Sequence, residues 1–270
     1  MDDRRLSRVL GGAALLLIGA ITWRAVRSHL PARQRAPAVA TDTLPVEAVG
    51  RAPHGAGAAS SSGGSTVAAT PPANVSYLDQ LARSESRRRI RGSAGMTYLN
   101  EMVAESNDSM LHRWDNRVED PVRVYFAATT AANFRPDFLD AVRQAFSRWE
   151  GAGVPVRFAF VDDSARAEVT IRWKVQFEID RTGQTDLNWD QDGHVQNAVV
   201  TIATFDPKGQ PLAPDDVRAV ALHEIGHLIG LDHSPDSADV MFARTQVRDL
   251  SERDIQTALL LYQLTPGSIR

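Results

Sequence analysis

Eleven consecutive residues, His223-Glu224-Ile225-Gly226-His227-Leu228-Ile229-Gly230-Leu231-Asp232-His233, constrain this chain more than any other stretch. On a helix of 3.6 residues per turn, positions four apart lie one above the other on the same face. His223 and His227 can therefore each aim a ring nitrogen at one ion, at the ~2.0–2.1 Å of a Zn–N bond. Gly230 lets the chain leave that helix through a φ > 0 conformation that a side chain would oppose. The chain then turns back and His233 can reach a third ligand position. Three protein ligands leave the fourth site of a tetrahedral zinc open, as a catalytic site requires. Glu224 follows the first ligand directly, beside the metal and not bound to it, where it can take a proton from water.

The rest of the second half reads as a dense core. Residues 122–126 alternate as a half-buried strand should. Pro136 opens a helix with Phe138, Leu139, Val142, Ala145, Phe146 and Trp149 at helical spacing, and these aromatics read as core. Further strands are expected at 156–161 and 169–177. A hairpin follows, with strands at 185–189 and 195–202 around the turn Asp190-Gln191-Asp192-Gly193. Pro214 and Asp215 begin the metal helix, with acidic residues at its positive end. Ser251 with Asp254 caps the last helix, whose Ile255, Leu259 and Tyr262 fall on one face. The order is strand, helix, four strands, helix, helix, an α+β pattern.

Within that order the run at 223–233 resembles the metzincin signature His-Glu-x-x-His-x-x-Gly-x-x-His, and its surroundings resemble the matrixin branch. Ser234 follows the third histidine. Ser237-Ala238-Asp239-Val240-Met241 resembles the Met-turn, and Leu250-Ser251-Glu252-Arg253-Asp254-Ile255 with Leu261-Tyr262 resembles the last matrixin helix. The resemblance implies a metzincin-like catalytic domain over residues 113–265, with a twisted mixed sheet, a zinc-binding helix, a Met-turn and a C-terminal helix. It implies a zinc-dependent endopeptidase acting on protein or peptide substrates. His223, His227 and His233 would hold the zinc and Glu224 would be the general base. Met241 would lie beneath the metal, with Gly230 and Asp254 supporting the site. The strand at 185–189 would be the sheet edge above the cleft, where an extended peptide could pair through its backbone. A second reading keeps the zinc and drops the chemistry: a non-catalytic zinc-bound module that grips peptides along the same edge. A gluzincin would need a downstream glutamate ligand; Glu252 is the only Glu after Glu224, and it lacks the flanking pattern.

The chain also departs from the family. Phe242 follows Met241, where astacin- and serralysin-like metzincins place a tyrosine, which favours the matrixin branch. Arg253-Asp254 stands where matrixins usually carry adjacent aspartates. The acid that would anchor a freshly cut N-terminus is missing, so activation by burying such a terminus is not expected. The His-x-Asp-type loop that holds a second, structural zinc and calcium in animal matrixins has no counterpart. Asp186, Asn188, Asp190, Asp192 and His194 are the side chains a calcium ion could use, although Gln191 and Val199 break the EF-hand template.

The sequence has no cysteine, which excludes disulfides and a cysteine that blocks the zinc from a propeptide. With a net charge of −3 and basic residues dispersed, apart from Arg87-Arg88-Arg89 and Arg91, no nucleic-acid partner is expected. Residues 1–30 read as a signal-anchor: Arg4, Arg5 and Arg8 precede an apolar run at 9–23, and Arg24 and Arg27 follow it. Such a run spans about 22 Å as a helix, and Leu6 and Val26 with snorkelling arginines extend it to a marginal single span. A cleaved signal peptide, leaving a secreted protein, is the rival. No small-x-small site follows closely, since Ala38-Val39-Ala40 lies far downstream. Flanking charge does not set the orientation, and the resemblance alone places the catalytic domain outside the cytoplasm. Residues 31–75, rich in Ala, Pro, Ser and Gly, read as a disordered linker. Residues 76–112 read as a helical pre-catalytic segment, with Ser76 and Asp79 at its start and Leu99, Met102 and Val103 on one face. It could pack as an N-terminal helix or act as a pro-region, with Asp108, His112 and Asp115 as blocking ligands.

Overall fold

Period-2 and period-3.6 apolar patterns alternate along this chain, and in space they become a mixed sheet with helices packed against it. The computed structural model describes residues 76–106, 109–244 and 247–269. The expected membrane segment at 1–30, the linker at 31–75 and Asp108 lie outside those residues. Among the described residues no helix is long and apolar enough to cross a membrane.

Helices α1 (Tyr77–Gly92) and α2 (Leu99–Glu105) lead into strands β1 (Met110–Leu111) and β2 (Arg117–Phe126). Helix α3 (Asp137–Gly151) is followed by β3 (Val156–Val161), β4 (Val169–Lys174), β5 (Gly183–Trp189) and β6 (Val195–Ala203). Helices α4 (Pro214–Leu228) and α5 (Glu252–Gln263) and strand β7 (Gly267–Ser268) complete the order. The large sheet runs β3-β2-β4-β6-β5. Its first four strands are parallel, and β5 pairs antiparallel with β6 at the edge. This is the α+β architecture that the sequence leads one to expect, with β5 at the edge as the family resemblance implies.

Three boundaries differ from expectation by two residues or more: β5 begins at Gly183 and not at Thr185, and the other two lie in β2 and β4. Strand β2 starts at Arg117, which pairs with Val156 ahead of a bulge that ends at Val122. The polar stretch Glu119-Asp120-Pro121 hides that start, since proline enters a strand only at bulges and edges. Strand β4 stops at Lys174 although the alternation runs on to Phe177. Its partner β6 ends at Ala203 opposite Lys174, and alternation in one strand carries no information on where the other ends. The segment 76–112 is two helices and a short strand. It adds Tyr98, Leu99, Met102 and Leu111 to the same hydrophobic core as the later elements. Strand β1 pairs antiparallel with β7, so this segment is also tied to the C-terminal end.

Helix α4 lies at the centre of the core. Val217 and every residue from Ala219 to Leu228 are buried. Carbonyls of the helix and its C-cap are held by aromatic side chains from α3, from α5 and from the connection between β1 and β2. Trp149 Nε1 donates to Leu222 O at 2.9 Å, Trp114 Nε1 to Leu228 O at 2.9 Å, and Tyr262 Oη to Ile229 O at 3.0 Å. The last two satisfy carbonyls that a helix end otherwise leaves without a partner. Each large side chain removed from water contributes about 1.5–3 kcal/mol, and these tryptophans add a direction to that burial.

Where β2 and β4 come together, the Glu168 carboxylate accepts from Arg117 at 2.8 and 3.1 Å and from the Arg123 backbone N–H at 3.0 Å. Burial pushes its pKa up, but the Arg117 hydrogen bonds and the Arg123 N–H outweigh that and hold it below 4.5. A depressed folded-state pKa means stability that is complete above pH 4.5 and lost as pH falls through the lowered value. Glu168→Gln should cost about 1–2 kcal/mol at neutral pH. In urea denaturation the gap to the parent should shrink on acidification; a gap independent of pH would contradict this account.

Candidate metal centre

The site is assembled where α4 ends. Pro214 occupies its first turn, and the Asp216 carboxylate accepts from the Ala213 N–H at 3.0 Å. At the other end Gly230 adopts φ +103°, and a Cβ there would lie 2.0 Å from the His112 carbonyl oxygen. Both the backbone conformation and the close approach of the pre-catalytic segment therefore demand glycine. The Leu231 N–H bonds back to Gly226 O at 3.0 Å, and this reversal carries His233 to the two helical histidines.

Two of the rings are oriented by carbonyls. His223 Nδ1 donates to Val240 O at 2.7 Å and His227 Nδ1 donates to Leu231 O at 2.8 Å. A carbonyl can only accept, so the proton is on Nδ1 and the Nε2 lone pair is left free. The two Nε2 atoms lie 3.2 Å apart. Tetrahedral coordination at ~2.0–2.1 Å would set them roughly 3.3 Å apart. His233 Nε2 is buried without a hydrogen-bond partner, and the ligand atoms of all three histidines lie within 4.8 Å of one another. Two free Nε2 lone pairs and a third imidazole nitrogen buried without a partner beside them fit a divalent cation. Burial, assisted by the nearby His233, pushes His223 down to about 3; burial also carries His227 well below 6.5 and lowers His233. All three are thus neutral at pH 7, the form that binds metal.

Glu224 is fully buried beside them. Thr185 Oγ1 lies 2.8 Å from its Oε2, while Oε1 has no hydrogen-bond partner. Burial pushes the carboxyl up to about 8, against the opposing Thr185 hydrogen bond and the Arg181 charge.

The Met-turn passes beneath the centre. The Asp254 carboxylate accepts from Val240 N at 2.8 Å, Met241 N at 3.4 Å, Ser251 N at 2.9 Å and Tyr98 Oη at 3.1 Å. Asp254 thereby ties the turn, the start of α5 and the segment before β1 to one side chain. Burial raises its pKa despite those bonds. Gly226, between the two helical ligands, makes room for Met241: a Cβ there would lie 2.2 Å from the sulfur. At the departure noted above, Arg253 Nη1 pairs with Asp236 at 3.1 Å and Asp239 at 3.5 Å, so α5 carries its own cation at this place.

Other residues singled out from the sequence do not join the centre. His112 packs against Trp189, with 4.1 Å between ring centroids and the planes tilted by 41°, and Asp115 lies 3.8 Å from His194. In the hairpin, Asp190 accepts from the backbone of Asp192 at 3.0 Å and His194 at 2.9 Å, and Asp186 accepts from Gln184 at 2.8 Å. Among the described residues, the metal-capable grouping of three or more such side chains is His223, His227 and His233, not the hairpin set. Gly183, Thr185, Gly226, Trp114 and Tyr98 gained no site role from the sequence. Each meets the centre through contacts that no local pattern encodes.

A mixed sheet with an antiparallel edge strand, a helix bearing two ligands, a glycine turn to a third and a methionine turn below define a metzincin-like zinc fold. Comparison agrees. The family model for matrixin matches residues 113–263, more than half the chain, and the chain belongs to the matrixin family. It is similar to Metalloendoproteinase 1-MMP of Arabidopsis thaliana, 33% identical over 148 residues, which cover 48% of this chain and 39% of that protein. Metalloendoproteinase 5-MMP of the same plant is 23% identical over 233 residues, 72% of this chain and 61% of that protein. Metalloendoproteinase 1 of Glycine max is 35% identical over 85 residues, 30% of this chain and 24% of that protein. The chain spans less than two thirds of the length of each of these relatives.

Asp254→Ala would strand the Val240 N–H and the Tyr98 hydroxyl in buried surroundings and leave the part-buried Ser251 N–H without its acceptor. At about 1–3 kcal/mol for each such donor, the protein should lose about 3 kcal/mol or more in urea denaturation and bind zinc more weakly in titration. An alanine variant with parental stability would show that Asp254 does not hold the turn.

Proposed function

We propose that this protein is a zinc-dependent metalloendopeptidase that hydrolyses peptide bonds in extended segments of protein or peptide substrates. One observation carries the reading: ligand atoms of three histidines lie within 4.8 Å of one another, and Glu224, next in the chain to the first of them, is buried with one carboxylate oxygen that has no hydrogen-bond partner. His223, His227 and His233 would hold the zinc. Bound there, zinc supplies Lewis acidity to a scissile carbonyl and lowers the pKa of water towards ~7. Glu224 takes a proton from the attacking water at Oε1 and delivers it to the leaving amine. Burial raises its pKa, and a divalent charge held by the histidines would oppose that shift and favour the carboxylate form. Met241 and Asp254 shape the floor of the site and Gly230 its turn, without taking part in chemistry. The edge position of β5 supports substrate binding by backbone pairing.

The arginine-flanked apolar run at 9–23 and the linker at 31–75 support a membrane tether for the catalytic domain at 113–265, and membership of the matrixin family is what favours a position outside the cytoplasm. The alternative of a non-catalytic zinc-bound peptide-binding module uses the same ligands and the same edge.

Glu224→Gln should retain one zinc per chain and lose peptide hydrolysis by about 10²-fold or more. Chelation should abolish parental activity, and added zinc should restore it. Quenched fluorescent peptides and metal analysis provide both readouts. Full activity in the glutamine variant, or hydrolysis indifferent to chelator, would sink the assignment; zinc and peptide binding with no turnover in the parent would favour the module.

A further inference from the structure

The carboxylate of Glu224 is gripped from the strand that the substrate would follow. Thr185, the third residue of β5, sets Oγ1 2.8 Å from Glu224 Oε2 and 3.0 Å from Glu224 O. Both residues are buried and lie 39 positions apart in the chain. A hydroxyl carries a single hydrogen and two lone pairs. It can donate to the carboxylate, and the second acceptor keeps it seated against α4 when it does not.

Two residues earlier on the same strand face lies Gly183. A Cβ at this position would fall 2.3 Å from Glu224 Oε1 and 2.7 Å from both Cδ and Cγ. Unlike Gly230, Gly183 has no positive φ. Glycine is thus required here by the space the glutamate occupies and not by the backbone. The same strand that presents one partner to Oε2 withdraws its bulk from Oε1.

We propose that Thr185 and Gly183 are positioning residues for Glu224. Thr185 fixes Oε2, and Gly183 clears the volume in which Oε1 is held for proton transfer. The inference rests on the reading of Glu224 as general base. A glutamate side chain has three rotatable bonds, and an ångström of misplacement at a reacting group costs about 10²-fold. Holding one oxygen and shaping the space around the other removes that freedom.

Thr185→Val keeps the volume and β-branching while removing the hydroxyl. It should lower kcat by about 10- to 100-fold with KM and zinc content unchanged. Thr185→Ser should recover most of the loss. Gly183→Ala should lower kcat comparably. It also has a readout independent of turnover: it should lower the melting temperature of the parent but not of Glu224→Ala, where the clashing side chain is gone. Parental kcat in Thr185→Val, serine no better than valine, or a fall in zinc content parallel to kcat would each overturn the role of Thr185. An equal melting-temperature loss from Gly183→Ala in both backgrounds would overturn the role of Gly183. If Glu224→Gln retained activity, the general-base reading itself would fall. If Glu224→Gln is inactive while Thr185→Val keeps parental kcat, only the inference about Thr185 fails.

Discussion

A helix buried on every side has to bring partners for each polar group it carries, because an unpaired polar atom in such surroundings costs more than most single contacts return. Helix α4 carries His223, Glu224 and His227 into the core, and nearly everything else in the structure answers to that burial. The carbonyls of Val240 and Leu231 take the Nδ1 protons, and the hydroxyl of Thr185 meets one oxygen of the carboxylate. The remaining nitrogens lie close enough together to share one cation. Burial, tautomer and neutrality thus lead to one centre.

The partners come from far apart in sequence, and each is fixed in turn. Val240 is useful to His223 only because Asp254 holds the turn, and Asp254 can serve the turn, α5 and Tyr98 at once because it is buried among their donors. Leu231 reaches His227 because Gly230 permits a tight reversal against the His112 carbonyl. The segment that precedes β1 therefore contributes to the geometry of the metal helix, although it supplies none of the three ligands. Arg253 extends the same principle: where the family's pattern calls for an acid, α5 presents a cation already paired with Asp236 and Asp239.

Much of this was legible in the chain itself. The i, i+4 spacing placed two histidines on one helical face, and the glycine three residues beyond the second marked the turn to the third. Ser251 and Asp254 announced a capped helix, which the structure contains as a reciprocal cap. Alternation located the strands of the large sheet, but it missed the start of β2 at a proline-bearing bulge, the end of β4 beyond its partner and the first two residues of β5, and it did not reveal the two-residue strands β1 and β7. The second role of Asp254 as Met-turn anchor came from resemblance, not from any local pattern.

Local rules read the ligands because their geometry is set by the helix and by one turn, over a span of eleven residues. They could not read Thr185, Gly183, Gly226 or Trp114, whose importance arises when a strand or a loop distant in sequence is laid against α4. A threonine in an alternating strand looks like any half-buried β-branched residue. A glycine without positive φ offers no turn to recognise. Amino-acid order settled which atoms could bind a metal and roughly where chain direction would change. Packing alone chose the tautomer of the two helical histidines, the free oxygen of the carboxylate and the room in which it sits, because those depend on contacts made through space.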